Sequence, residues 1–438
     1  KDQHIAIESL ITDCLQNLIR DGIPRELVDS SLHQLEIRQR EITGSGMPFG
    51  LQIMLTCLPA CIHNDDPLNI LDLDNAFNVI KERLNQDNYI EGLIEKHLIN
   101  NPHKLNYSLV PDTEFNRRNE DAIIEKVHQK TKSLSVDDKN KIVALAEALE
   151  KRQERIDDPE ILPKVTKEDI PLSRNYPNPN LSIVNNIENY FYKSGTNGLV
   201  YHSMLFPCEA LTIDELKIAS LFTSSLTDIG LGSDSYEDVQ KYQSSITGGI
   251  SASFTMIPNK GDSEHKLALK ISGKSLEKNA HLMQDLMIRT VQEANFGEHQ
   301  RIQELLSFIS ADNEQSLTQN GHVLAMANAA SQLTEVASTN DLTSGIRFIN
   351  NTGLLSKNIS DEGSLDIYIK NLKSIQSKIS LTPKNIFTAS SLNPDEMDLK
   401  SFSGLNVADV DEQNFIKVQD KSIGWITGSQ VCFCAEAF

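Results

Sequence analysis

Residues 116 to 170 hold 12 basic and 13 acidic residues among 55, about 45% charged against 23% for the whole chain. A segment so charged has little to bury, so it cannot supply the core of a domain and must divide the chain. Its apolar residues are thin but regular. Ile123, Ile124, Val127 and Leu134 fall at helical spacing, and Ile142, Leu145, Ala146 and Leu149 repeat the pattern. Between them Ser135 is placed to cap a second helix, with Asp138 three residues on, near the positive end of the helix dipole. The spacing predicts an αα-hairpin. "DDPEILPKVTKEDIP" then runs extended and Pro-punctuated, as a linker does. We expect residues 116–171 to be a charged helical-hairpin connector between two domains. A solvated helical face accounts for its charge.

Upstream, residues 1–115 are α-rich. "KDQHIAIESLITDCL" has no apolar core closed by a small-residue cleavage site and is no signal peptide. It reads as an amphipathic helix with Ile5, Ile11, Cys14, Leu15, Leu18 and Ile19 on one side. "LTCLPACIHNDDPLNILDL" predicts a helix broken at Pro59 and an Asp-Asp-Pro turn. Leu73, Phe77, Ile80 and Leu84 mark another helix, and "NYIEGLIEKHLI" a short one. Leu105, Tyr107 and Leu109 alternate with polar residues, so a strand is expected over 104–110, with Pro111-Asp112 as its exit. The chain opens without an initiator Met, and we expect an internal fragment.

Downstream the pattern changes. "IENYFYKSGTNGLVYHSMLF" predicts two strands around a Ser-Gly-Thr-Asn-Gly turn. "TIDELKIASLFTSSLTDIG" predicts a helix with Thr212 as N-cap and Gly230 as its stop, and "SYEDVQKYQSSITGG" a second helix ending at Gly248-Gly249. Ile250, Ala252, Phe254 and Met256 alternate with hydroxyl residues, and Leu267, Leu269 and Ile271 with lysines. That is an antiparallel hairpin with one buried face. Leu276, Ala280, Met283, Leu286, Met287 and Val291 mark the helix that covers it. "NGHVLAMANAASQL" and "SLDIYIKNLKSIQSK" add helices, and "NIFTASSL" closes with a strand. The fold class is α+β: an antiparallel sheet with helices on one face. "GSQVCFCAEAF" reads as the first strand of a further domain beginning near 422.

The 438 residues suffice for two or three domains. A formal charge of −20 argues against nucleic acid. It suits basic or unfolded peptides by long-range attraction, though solubility alone explains it as well. No run of about 18 apolar residues offers a membrane span. Six cysteines in so long a chain fit a reducing compartment. We expect the bacterial cytoplasm, with an organelle matrix as the alternative. Cys432 and Cys434 share a strand face and read as small buried hydrophobes rather than metal ligands.

A search for chemistry returns little. None of the eleven His has a partner His at i+4, and Gly261 and Asn295 stand where the first His of H-x-x-E-H would precede Glu264-His265 and Glu298-His299. There is no P-loop, and no G-x-S-x-G. "GLGSD" at 230–234 lies between helices and "TGGISAS" leads into a strand, so neither has the context to cradle phosphate. Asp65-Asp66 and Asp157-Asp158 precede Pro as turn or linker residues do.

Three stretches nevertheless carry a likeness. "LHQLEIRQREITGSGMPFGLQIMLTCLPACIHNDDPLNILDL", "NPHKLNYSLVPDTEF" and "LEKRQERIDDPEILPKVTKEDIP" resemble the presequence protease and falcilysin branch of the pitrilysin/insulinase-type zinc metallopeptidases. "TNGLVYHSMLF", "TGGISAS" and the 267–291 strand-helix run resemble that family's third domain. The resemblance implies four homologous α+β domains in two halves, joined by a helical hairpin and closing over a chamber for unfolded peptides. It implies a zinc site in the first domain, where two His and a distal Glu bind the metal and the motif's own Glu activates water. It implies substrate-holding Arg and Tyr residues in the fourth. This chain departs from the pattern at both places. The helix corresponding to the zinc helix reads "ELKIASLFTSSLTDIG" and has no His.

The expectation is therefore the central part of such an enzyme. Residues 1–115 would end a second peptidase-like domain, 116–171 connect, 172–395 form a non-catalytic third domain, and 396–438 lead into a truncated fourth. No catalytic, metal or cofactor-binding residue is assigned. Zinc belongs to the parent enzyme, outside this chain. The partners are unfolded peptides and the parent's own N- and C-terminal domains, with no nucleic acid and no membrane. The alternative is a non-catalytic binding or assembly protein that retains the fold.

Overall fold

The structure is a computed structural model and describes residues 3–42, 46–156, 158–173, 176–258, 265–402, 405, 425 and 432–437. The chain divides into two compact units. One comprises Lys1–Gly22 and Ile90–Tyr176, the other Ile23–Tyr89 and Pro177–Phe438.

In the first unit the N-terminal segment forms the helix Gln3–Asp21, against which the helical turn Glu95–Ile99 packs. Lys104 reaches Glu8 at 3.0 Å. The strand expected over 104–110 is absent. The segment has no regular structure and pairs with no strand, and Leu105, Tyr107 and Leu109 are at least 80% exposed. Alternation supplies only the side-chain pattern of a strand; the ladder needs a second backbone, and none of the described residues offers one. The two helices of the expected hairpin form, Phe115–Ser133 and Val136–Gln153, but they do not pack along each other as a hairpin's arms would. Ser135 Oγ accepts from the Asp138 amide at 3.1 Å, and Asp138 Oδ2 accepts from the Ser135 amide at 3.2 Å, a reciprocal cap. Its apolar stripe is exposed: Ile124, Val127 and Leu145 all face out.

The second unit is built on one six-stranded sheet. Its strands are β1 (Asn180–Val184), β2 (Ile187–Lys193), β3 (Leu199–Pro207), β4 (Ile250–Pro258), β5 (His265–Leu276) and β6 (Asn385–Ser390), in the order β1-β2-β6-β3-β5-β4. Only β2 and β6 run parallel. The β4–β5 hairpin is the one read from the alternation. β2 and β3 are both strands, but they do not pair with each other, because β6 lies between them. Their connection therefore crosses two strand spacings, about 10 Å, within reach of five residues. Asn197 and Gly198 turn it with φ of 53° and 80°. Thr196 Oγ1 ties it down, donating to the Leu199 carbonyl at 2.6 Å and accepting from the Ser391 amide at 3.0 Å. β1 adds a strand beyond those expected. Its signal is Asn185-Asn186, whose φ of 51° and 66° make the two-residue turn into β2.

Helices cover one face of this sheet. Ile213–Leu226 and Ala280–Gln292 seat Leu221, Phe222, Met283 and Met287 on Met204, Phe206, Leu269 and Ile271, all fully or nearly fully buried. Thr212 caps the first of these helices as expected, accepting from the Glu215 amide at 3.3 Å. The helix ends at Leu226, before Gly230. Gly230 serves the following turn instead, where a Cβ would strike the Asp234 carbonyl.

Residues 23–89 belong to this same unit. The break expected at Pro59 does not occur, and helix Phe49–Ile62 runs through it. A proline in a helix interior costs about 3 kcal/mol. Here the helix stops three residues later, and the His63 amide still closes on the Pro59 carbonyl at 3.0 Å. At the other end of the chain, Cys432 and Cys434 are exposed rather than buried, and residues 432–437 form no strand. Without a paired strand there is no covered face for them to enter. The rest of the strand expected at the C-terminus, and most of 403–431, lie outside the described residues.

Candidate functional site: the open face of the sheet

Because side chains alternate along each strand, covering one face leaves the other to be explained. The register places Glu188, Tyr190 and Tyr192 of β2, Asn385 and Phe387 of β6, Tyr201 and Ser203 of β3, Lys270 and Ser272 of β5, and Ser251 and Ser253 of β4 on that second face. None of these is buried. Tyr190 stacks on Phe387 with ring centroids 5.0 Å apart and planes 11° from parallel. Tyr190 Oη donates to Glu188 Oε2 at 2.7 Å, and Asn385 Nδ2 donates to the same oxygen at 2.9 Å. The Glu188 carboxylate, by holding that proton, raises the Tyr190 phenol above its ordinary range. Ser203 and Ser272 share a hydrogen bond of 2.9 Å across β3 and β5. The result is a wall of aromatic rings and hydroxyls, apolar enough to grip side chains and polar enough to stay wet.

The titratable groups that the covered face holds away from water each serve the structure. His202 on β3 is 1% exposed, shares a 2.9 Å hydrogen bond between Nδ1 and Thr388 Oγ1, and lies with its ring 6.2 Å from that of Phe402. Burial pushes its pKa down to about 4, so the ring is neutral at ordinary pH. Glu215 sits in the first turn of helix Ile213–Leu226. It accepts from the Thr212 amide at 2.6 Å, from Lys378 Nζ at 2.6 Å and from Ser374 Oγ at 2.7 Å. Burial pushes its pKa up, but these donors outweigh burial and leave it below the usual carboxylate range. Burial drives the Cys208 thiol up to about 12, which leaves no thiolate for chemistry.

A cavity of about 340 Å³ opens among the helices, lined by Ser220, Asn313, Ser316, Asn320, Thr343 and Phe348 among others, with no acid, base or thiol in its wall. Among the described residues no three His, Cys, Asp or Glu side chains come together to hold a metal ion. Asp66, one of the paired carboxylates of the sequence, accepts from the Leu68 amide at 2.9 Å and acts as a turn residue. Asp157 lies outside the described residues. Sequence reasoning did not single out the open face as a site. Its signal was present in the alternation, but which strands adjoin depends on β6, some 180 residues beyond β3.

An α+β unit of this kind, with a mostly antiparallel sheet covered by helices and two charged helices ahead of it in sequence, defines a metallopeptidase-type scaffold. The family of domains associated with peptidases of family M16, subfamily C, matches residues 109–354, more than half of the chain, and the chain belongs to that family. It is similar to presequence protease 1, chloroplastic/mitochondrial, of Arabidopsis thaliana, at 26% identity over 81% of this chain and 34% of that protein. It is likewise similar to the mitochondrial presequence protease of Yarrowia lipolytica, at 25% over 87% of this chain and 38% of the other. Protein HypA of Clostridium perfringens is 25% identical over 78% of this chain and 35% of its own length. The chain thus spans little more than a third of these relatives. Among solved structures, a conserved protein from Enterococcus faecalis V583 overlaps 54% of this chain and 53% of its own at a TM-score of 0.35 and 13% identity, too slight a likeness to argue from.

Proposed function

We propose that this chain is the central, non-catalytic segment of a zinc metalloendopeptidase that degrades unfolded peptides inside a closed chamber. The family match carries this reading, since it runs from the charged hairpin into the sheet unit in the order the resemblance requires. The open face, with Tyr190, Tyr192, Tyr201 and Phe387, would be part of the chamber wall. Aromatic rings hold extended peptides of many sequences, and a charge of −20 draws in basic ones. Zinc, the activated water and the groups that hold the substrate carbonyl would belong to other parts of the parent enzyme. The parent would work in a reducing compartment, the bacterial cytoplasm or an organelle matrix. The names of the Arabidopsis and Yarrowia relatives favour the matrix. No helix among the described residues is long and apolar enough to cross a membrane.

The test is direct. Incubated with zinc and an unstructured basic peptide, the 438-residue chain should bind the peptide and leave it uncut. Chelator-sensitive cleavage would overturn the reading. The alternative, a binding or assembly protein that keeps the fold, is separated by the upstream coding sequence. An H-x-x-E-H motif ahead of residue 1 supports the peptidase, and a coding sequence that starts near Lys1 supports the binding protein.

A further inference from the structure

The helix Arg25–Arg40 precedes the connector in sequence, yet it docks on helix Tyr236–Ile246 and on one end of the sheet's open face. Four contacts fix it there. Gln34 Nε2 donates to the carbonyls of Ser244 and Thr247, the latter at 2.6 Å. Ile37, 2% exposed, packs with Leu199, Leu276 and Tyr201, a small apolar cluster separate from the main core. It also lies over Gly248, where a Cβ would come within 2.7 Å of its Cγ2, so the helix can approach only because that residue is glycine. Asn197 Nδ2 donates to the Arg40 carbonyl at 3.1 Å, and Lys274 Nζ holds both oxygens of Glu41 at 2.7 and 2.6 Å.

Sealed under this helix is His33, 9% exposed. Its ring hydrogen-bonds the backbone of Ile246, and Nε2 finds no partner. We propose that the helix Arg25–Arg40 is a proton-released clasp, docked on the sheet unit while the His33 ring is neutral and let go when that ring gains a proton. The geometry gives the reason. A second ring proton would place a full charge where Nε2 meets no acceptor. The surrounding groups do not repair this. From its own helix Glu36 faces the ring, but Arg40 and Lys81 already engage that carboxylate at 3.0 and 3.6 Å. From the turn Glu277–Asn279, Lys278 adds a like charge. From helix Tyr236–Ile246 there is only the Ile246 carbonyl, which also accepts from Asn279 Nδ2 at 3.2 Å. Burial, then, is what holds the imidazole below its ordinary pKa, with the Ile246 hydrogen bond and Glu36 opposing and Lys278 helping.

The sign follows. Above about pH 6.5 the ring is neutral docked or free, and docking is at full strength; below it the free helix takes the proton first and docking weakens. At about pH 5.5 the population with the helix released rises by at most tenfold. Hydrogen exchange on the full chain tests this. After correction for intrinsic rates, the amides of Arg25–Arg40 should lose protection at pH 5.5 relative to 7.5, and those of Ile213–Leu226 should respond to pH alike in the unaltered chain and in His33→Gln. In His33→Gln the loss should vanish. A disulfide between Ile37→Cys and Gly248→Cys should form under mild oxidation at pH 7.5 and abolish it too. Equal protection at both pH values in the unaltered chain, the same acid loss in His33→Gln, or failure of the disulfide to form would each overturn the clasp. None of these outcomes depends on whether the parent is a peptidase.

Discussion

Replacing His202 by Gln should remove a large part of the acid sensitivity of the sheet unit. His202 lies wholly inside the covered face, and burial lowers its pKa to about 4 against 6.5 when unfolded. Above about pH 6.5 both states hold the ring neutral and stability is complete. As pH falls from 6.5 toward about 4, the unfolded chain binds a proton that the folded chain refuses, and stability drains away. The loss is about 2 kcal/mol at pH 5 and about 3 kcal/mol at pH 4, against a ceiling of about 3.4 kcal/mol for the full interval. Gln cannot titrate, yet it can keep a hydrogen bond to Thr388. Urea unfolding followed by circular dichroism, run on both proteins from pH 7.5 to 5, should show the unaltered chain losing about 2 kcal/mol more than the variant. Its other acids and histidines are common to both and cancel in the difference. Parallel losses would refute the reasoning, because they would mean that the His202 ring takes its proton as readily folded as unfolded.

Two further outcomes are expected. Gly345→Ala should destabilise the helical layer by about 3 kcal/mol or more, because its Cβ would sit 2.8 Å from Asp341 Cα and press on Oδ1 of a fully buried carboxylate. That carboxylate is held by Arg347 Nε at 2.5 Å and Asn328 Nδ2 at 3.0 Å; an unchanged melting temperature would contradict this. A broad-specificity protease should nick the 155–165 segment before the sheet unit, since Ile156, Ile161 and Val165 are 92%, 79% and 83% exposed. Uniform resistance there would count against an accessible connector.

Much of this fold was legible because local chemistry repeats at short range. The caps at Ser135 and Thr212 need only residues three apart, and the β4–β5 hairpin only two alternating runs near in sequence. Where the reading failed, a distant partner was decisive. Leu105, Tyr107 and Leu109 have a strand's alternation but no backbone to pair with among the described residues. β2 and β3 look like a hairpin until β6 enters between them. Pro59 should break a helix, and does not: the helix runs on to Ile62 and the His63 amide closes on the Pro59 carbonyl. The Cys432 and Cys434 pattern predicted burial on a strand face that does not form.

The candidate site divides in the same way. The absence of H-x-x-E-H from the sequence, the acidic balance and the family likeness are properties of the chain written out, and the sequence alone settled them. It also set which residues are apolar in each strand, and therefore that the sheet would have one buried face. Only the tertiary structure decided that Tyr190, Phe387 and Tyr201 share the other face, since a register spanning some 180 residues fixes that meeting. It alone set His33 against Ile246 and Ile37 against Gly248, contacts more than 200 residues apart in the chain. Periodicity is a local property that each segment carries by itself. Burial, and the pKa shifts that follow from it, are collective, and they exist only once every covering element is in place.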